Sequence, residues 1–363
     1  MKRIFVAATR QNDGKTMVSL GLFKAFQNHF HRVAYMKPVG QQYRVVNGEK
    51  IDKDAVLMAQ TYNLSDPLQD MSPIAIPRGF TTNYIENPHR DELSSRVQKA
   101  FDNLAANNDF VLIEGTGHAG VGSVFDMSNA DVSKQLEAKV VIVSQGGIGK
   151  PIDEILMNKA LFDRQGVEVV GAIINKVDAR KYDKVRDIAE QGLARHGLKV
   201  VGVIPLVHML SKPSILEVAE DLDAEILTED HSMLMKQVGK FIIGDQNPHN
   251  VLDVLNRNAL LIVPGDRDGL ITSALAGHLL EYQRDYSVAG MVFTMGIRPH
   301  KQIMELVDRS RVPALLVQED AFSVATRINN SIFKMRAEET DKIRTTQELV
   351  DGYVDVERIC KLI

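Results

Sequence analysis

Apolar runs of strand length recur along the first two-thirds of the chain, each followed by a longer segment with helical spacing. They are "RIFVAAT" (3–9), "RVAYMKPV" (32–39), "DFVLIEGT" (109–116), "AKVVIVSQG" (138–146), "VEVVGAIINKVD" (167–178) and "LKVVGVIP" (198–205). The runs are continuous rather than alternating, which predicts strands buried on both faces, hence a parallel sheet covered by helices. Stretches such as "SSRVQKAFDNLAA" (94–106) and "KVRDIAEQGLARHG" (184–197) supply the crossover helices. A second series follows: "GKFIIGDQ" (239–246), "NALLIVPGDRDGLI" (258–271), "VAGMVFTMG" (288–296) and "VPALLVQED" (312–320). Two α/β domains are therefore expected, residues 1–225 and a smaller one at 226–363. The polar stretch "LTEDHSM" (227–233) is the expected linker, and "TTQE" (345–348) reads as a capping box opening a final helix.

Composition narrows the function classes. A length of 363 residues with 44% hydrophobic content suits two globular domains. The net charge of -4, with both signs interspersed, gives no electrostatic case for nucleic acid or an anionic membrane. No run approaches the roughly 18 apolar residues of a membrane span, and the N-terminal run leads into a loop as a strand would, not as a signal peptide. The single cysteine, Cys360, excludes an intrachain disulfide framework and a multi-thiolate metal site. A cytoplasmic protein is expected.

The candidate chemistry starts at "ATRQNDGKTMVSLGL" (8–22), which lies between the first strand and a helix. A phosphate-binding loop works because backbone N–H groups at such a turn face phosphate oxygens, helped by the helix N-terminus. Gly14 permits close approach, Lys15 would reach the β/γ-phosphates, and Thr16 would ligate magnesium. The strict pattern wants glycine where Thr9 stands. Glu114 ends the strand "FVLIE" before "GTGHAGVG"; an acid there can hold magnesium, directly or through water. Asp52 and Asp54, in "EKIDKDAVLMAQ", are on composition alone unremarkable surface acids. "NKVD" (175–178) ends another strand, where Asn175 could read a base edge; the full pattern is one that guanine-specific proteins use, so GTP stays open beside ATP. His118 could face phosphates or simply pack. In "HFH" (29–31) the two histidines share no helix face, which argues against zinc. In "GDRDG" (265–269), Asp266, Arg267 and Asp268 could bind a ligand or form a turn held by an ion pair, and the turn is preferred.

The ordered set of motifs resembles dethiobiotin synthetases. "AATRQNDGKT" keeps that family's spacing, with threonine after its first glycine position. "YMKPVG" (35–40), "IDKDA" (51–55), "LIEGTG" (112–117), "IINKVD" (173–178) and "VGVIP" (201–205) follow in the same order, covering about residues 1–210. The resemblance implies magnesium ATP as ligand, with Thr16, Asp54 and Glu114 around the metal. It implies Lys15 on the phosphates and Lys37 near the transferred phosphoryl group, both as catalytic candidates. Nucleotide contacts are implied from Arg10, Asn12, Asp13, Gly14, Lys15, Thr16, Met17, Asn175, Lys176 and Pro205, and a homodimer from relatives of this domain. "IVPGDRDGLI" (262–271) echoes the DRTGG domain, and the pair in this order resembles the N-terminal region of long phosphate acetyltransferases. The fold expected is thus α/β: a parallel-sheet P-loop NTPase-like domain followed by a smaller α/β DRTGG-like domain. The acetyltransferase domain that follows in those enzymes is not in the sequence, so that activity is not expected.

Departures from the pattern matter equally. Ala8 replaces the first glycine. Arg10 stands where related dimeric ATPases carry a signature lysine, and it could contact phosphate or cap the loop. Gln41, Gln42 and "SQGGIGKP" (144–151) replace the residues that hold the synthetase substrate. Two readings remain. One is a nucleotide-responsive regulator with weak ATPase activity and a protein partner. The other is an ATP-dependent ligase acting on a small carboxylate or carbamate and an amine.

Overall fold

The computed structural model describes residues 1–280, 286–331 and 333–363. It divides into two compact units: Met1–Val207 together with Met335–Ile363, and His208–Lys334. The first unit is built on a six-stranded sheet in the order Val200–Pro205, Val169–Val177, Lys139–Gln145, Lys2–Ala8, Phe110–Glu114, Val33–Met36, with every pair parallel. The continuous apolar runs behave as expected: Ile4–Ala8 and Phe110–Glu114 are wholly buried. At the first strand the spatial order reverses direction relative to chain order, and that is where a crevice opens beyond the carboxyl ends of an open α/β sheet.

The helix that leaves the first strand, Lys15–Phe26, is buried on nearly all sides. Its second cover is the helix Thr340–Tyr353, from the C-terminal end of the chain. Their approach is close at Gly21, where an added Cβ would lie 2.3 Å from Val350 Cγ2. Tyr62 Oη donates to the Leu20 carbonyl (2.6 Å) and accepts from Gln347 Nε2 (3.2 Å), tying a third helix, Lys53–Tyr62, into the same seam. The last helix, Val356–Leu362, ends against two cations: Lys2 Nζ reaches the Cys360 carbonyl (3.2 Å) and Lys139 Nζ the Leu362 carbonyl (2.7 Å). Positive charge there complements the helix dipole.

This arrangement differs from the expected division in two places. Residues 335–363 pack with the first unit rather than the second, because their apolar face finds the nucleotide-loop helix and Asp355 N–H bonds the Val201 carbonyl (2.8 Å). The chain crosses between units at Val207/His208, not near residue 225, because Ile215–Asp221 and Glu225–Ile226 already belong to the second core and sheet. "LTEDHSM" therefore lies inside the second unit. The expected capping box "TTQE" lies inside the helix Thr340–Tyr353, which begins five residues earlier.

The second unit carries a five-stranded sheet, ordered Glu225–Ile226, Ala314–Leu316, Val288–Thr294, Ala259–Pro264, Lys240–Ile243. Its first pair is antiparallel and the others are parallel. Leu261, Val263, Met291 and Phe293 face one core, formed with helices Pro248–Val254, Asp268–Leu279 and Lys301–Ser310. Leu260, Ile262, Val292 and Leu315 face the other, formed with Ile215–Asp221 and Ala321–Asn330.

Candidate functional site

The first strand ends at Ala8 and the chain turns through residues 9–14 before the helix begins. Asn12 and Gly14 take positive φ (68° and 96°), which curls the backbone back on itself. Gly14 is required on two counts: its φ, and Asn175 Nδ2, which would lie 2.2 Å from an added Cβ. The first intrahelical bond runs from Val18 N–H to the Gly14 carbonyl (2.9 Å), so the amides of Lys15, Thr16 and Met17 remain at the open helix end. The helix has no acid in its first turn and no side-chain cap. Such an end leaves N–H groups free to receive an anion.

The loop is braced from within. Asp13, fully buried, accepts from Thr9 Oγ1 (2.5 Å) and from Arg10 N–H (2.8 Å), and Thr9 Oγ1 also meets Ser144 Oγ (3.0 Å). Thr9 in place of the strict glycine thus serves as a strut. Asn175 donates to the Asp13 carbonyl (2.9 Å) and accepts from Lys176 N–H (2.9 Å), while Lys176 Nζ donates to the Asn12 carbonyl (2.6 Å). These two residues clamp the loop from the strand Val169–Val177, next to Pro205 at the end of the edge strand. Asp178 accepts from Arg180 through the backbone N–H and the guanidinium, which hold its carboxyl down to about 2.

The charged centre comes from three separate segments. Lys37 follows the strand Val33–Met36, with its N–H fixed on the Met71 carbonyl (2.7 Å). A hairpin, Tyr43–Val46 with Glu49–Asp52, turns at Asn47–Gly48 with two positive φ values, as a tight hairpin turn demands. It delivers Asp52 as N-cap of the next helix, accepting from Asp54 N–H (2.9 Å), and so sets Asp54 in the first turn. Glu114 ends the strand Phe110–Glu114 beside Val6. Lys37 Nζ donates to Asp54 Oδ2 and to Glu114 Oε1, both at 2.8 Å. Thr16 Oγ1 donates to the same Glu114 oxygen (2.9 Å), and Tyr35 Oη to the other (3.0 Å).

Burial and charge compete in this cluster. Burial pulls the Lys15 ammonium down to about 8; Lys37 alongside pushes it the same way, against Glu114, Asp54 and Asp13. Burial also opposes the charge on Lys37, but Asp54 and Glu114, with Asp52, overcome it and hold the ammonium well above its ordinary value. Tyr35 is raised by burial and by Glu114, so its hydroxyl remains a donor. Thr16, Asp54 and Glu114 offer only oxygen donors, the ligand chemistry of magnesium, converging near the open helix end. Among the described residues no group of three His, Cys, Asp or Glu side chains converges as a metal centre.

The structure brings together Asn12, Asp13, Gly14, Lys15, Thr16, Lys37, Asp54, Glu114, Asn175 and Lys176. Arg10 turns to Glu154 (Nε to Oε2, 3.1 Å) on the helix Gly149–Gln165. Gln41 accepts from Gln11 Nε2 at the exposed rim (3.2 Å), and His118 is exposed, with Nδ1 accepting from Gly120 N–H (3.2 Å). In the second unit the "GDRDG" turn closes through Arg267 N–H to the Pro264 carbonyl (3.2 Å). The Arg267 guanidinium meets the Gln246 carbonyl (3.4 Å) rather than the neighbouring aspartates. The turn is as expected; the ion pair is not what holds it. Sequence reading quoted Tyr35 within "YMKPVG" without giving it a role, and missed the bracing role of Asp13.

A parallel sheet whose first strand feeds this turn, with Lys15 and Thr16 at the start of the following helix, defines a P-loop NTPase-like protein. More particularly, the AAA domain family (AAA_26) matches residues 2–214, more than half of the sequence, and the chain belongs to that family. The DRTGG domain matches residues 217–331. The chain is 26% identical over 363 residues to a phosphate acetyltransferase of Nitratidesulfovibrio vulgaris, covering 97% of this chain and 50% of that one. The corresponding figures for a phosphate acetyltransferase of Pseudomonas aeruginosa are 25% over 375 residues, 98% and 51%. The chain thus spans about half the length of the curated relatives it matches. Among solved structures, the MinC:MinD cell division complex of Aquifex aeolicus aligns with a TM-score of 0.38 and 14% identity, over 58% of this chain and 84% of that one. The CBS and DRTGG domains of a Clostridium perfringens pyrophosphatase align with a TM-score of 0.29 and 18% identity, over 34% and 49%. Among the described residues no helix is long and apolar enough to cross a membrane.

Proposed function

We propose that the first unit binds magnesium ATP and that the chain is a nucleotide-responsive regulatory region of the kind found in long phosphate acetyltransferases. The observation that carries this reading is the braced loop at an open helix end, with Lys15 beside it and three oxygen donors converging from Thr16, Asp54 and Glu114. Lys15 and the amides of residues 15–17 would hold the phosphates, and the oxygen donors would hold the metal, which neutralises charge on the phosphate chain when bound. ATP is preferred to GTP by the family resemblance. The altered residues Gln41, Gln42 and 144–151 support a regulator over a synthetase, and the DRTGG match supports a second module that responds. A homodimer follows from the resemblance and is part of this reading.

The second reading is an ATP-dependent ligase. The full set of Lys15, Thr16, Lys37, Asp54 and Glu114 favours it, because positioning and charge neutralisation are what phosphoryl transfer needs. A substrate carboxylate or carbamate oxygen would attack the γ-phosphorus, ADP would leave, and an amine would displace phosphate from the acyl phosphate.

Phosphate release from magnesium ATP separates the two, measured with and without the small-molecule fraction of a cell extract, for wild type and Lys15→Ala. A slow basal rate that no fraction stimulates supports the regulator. Stimulated release that vanishes in Lys15→Ala supports the ligase. Absence of nucleotide binding to wild type would sink both.

A further inference from the structure

The two carboxylates read as facing a divalent cation already hold a cation between them. Lys37 Nζ stands 2.8 Å from Asp54 Oδ2 and 2.8 Å from Glu114 Oε1, with the lysine side chain 5% exposed and the acids 3% and 0%. Glu114 Oε1 is also the oxygen that accepts from Thr16 Oγ1. An ion that took both of these oxygens as ligands would compete with the ammonium that already holds both. Two cations side by side in so dry a place would repel strongly. The position admits one of them.

We propose that Lys37 is the built-in counter-ion of the Asp54–Glu114 pair, alternating with a divalent metal, so that the nucleotide-free protein excludes metal and takes it up only as Lys37 Nζ leaves. This rests on the reading of Thr16, Asp54 and Glu114 as metal ligands, and adds an order of events to it. An ammonium leaving two carboxylates needs new counter-charge, and a polyphosphate drawn to Lys15 would supply it. Metal entry is thereby coupled to nucleotide entry. Glu114 does not follow the lysine, because Tyr35 Oη, fully buried, holds its second oxygen at 3.0 Å. The exchange therefore moves one side chain, and the ligand oxygens stay in place.

Manganese binding to the full chain without nucleotide tests this, read from the electron paramagnetic resonance signal of free Mn²⁺. Lys37→Met should gain a site at least about tenfold tighter than any in wild type, because removing a cation from a buried anionic pair leaves it wanting another. Lys37→Arg should behave as wild type, and Glu114→Gln added to Lys37→Met should abolish the gain. Magnesium should raise the melting temperature of Lys37→Met and leave that of wild type unchanged. Equal affinity in wild type and Lys37→Met overturns the proposal. If Lys37→Met does not fold, wild type alone decides. Mn²⁺ uptake without nucleotide that Glu114→Gln removes overturns it, and uptake seen only with an ATP analogue, beyond what the analogue alone binds and lost in Glu114→Gln, supports it. The nucleotide reading fails separately: a metal gain in Lys37→Met with no nucleotide binding by wild type leaves the counter-ion role standing and removes its coupling to nucleotide.

Discussion

The carboxyl ends of the parallel strands in the two sheets face the same topological opportunity and use it differently. In the first unit Asp13, Lys15, Lys37, Asp54 and Glu114 are each at most 8% exposed, and each of the anions touches a specific donor. In the second unit Asp266, Arg267 and Asp268, at the corresponding strand-to-helix turn, are exposed. A buried charge is costly unless paired, and removing one partner leaves the other stranded. The first edge is therefore a coupled unit in which each residue constrains the next, whereas the second is a set of exposed side chains, of which Arg267 meets only a backbone carbonyl. Glycine marks both turns for different reasons: Gly14 for its φ and its nearness to Asn175, Gly265 because the Ile297 carbonyl would lie 2.0 Å from a Cβ.

The largest test of this contrast removes one anion from each edge. Glu114→Ala withdraws the partner of Lys37, Thr16 and Tyr35 and should cost about 3–5 kcal/mol in denaturant unfolding. Asp266→Ala should move the melting temperature by no more than about 2 °C. Comparable losses at both edges would break the contrast. Next, Lys15→Ala should weaken magnesium ATP binding by about 10- to 100-fold, the worth of one charge-assisted contact, with the fold intact by circular dichroism. Gly21→Val should cost about 1–3 kcal/mol by overpacking against Val350, at the seam between the loop helix and the returning helix. A neutral result there would mean that the returning helix yields easily.

The smallest effect is a pH dependence. Lys15 is lowered from 10.5 to about 8 in the folded protein, so the unfolded chain holds one more proton between those values. Its contribution to stability should therefore improve as pH rises across that window. Phosphate prefers the protonated lysine, so nucleotide affinity should fall above about pH 8 by up to about tenfold per unit. Calorimetric titration at pH 7 to 9.5 checks this, and an affinity flat with pH in wild type would place Lys15 away from the phosphates.

Most strands of the two sheets were legible because burial on both faces leaves a continuous apolar run, whereas the two-residue strand Glu225–Ile226 is too short to leave one, and the loop was legible because its chemistry is contiguous in sequence. Lys37, Asp54 and Glu114 could be joined only through family resemblance, since the hairpin and two strands that bring them together leave no local periodicity. The return of residues 335–363 to the first unit was not legible, because an amphipathic helix shows which of its faces is buried and not against what. Arg10 had two open readings, and Glu154, 144 residues on by number, settles its position in this structure. Tyr35 looked like any strand aromatic until its hydroxyl was placed on Glu114.

The most direct measurement is calorimetric titration of a non-hydrolysable magnesium ATP analogue into wild type, Lys15→Ala and Arg267→Ala. A single site is expected in wild type, weakened at least about tenfold in Lys15→Ala and unchanged in Arg267→Ala. Binding that survives Lys15→Ala but is lost in Arg267→Ala would place the nucleotide in the second unit and contradict the account.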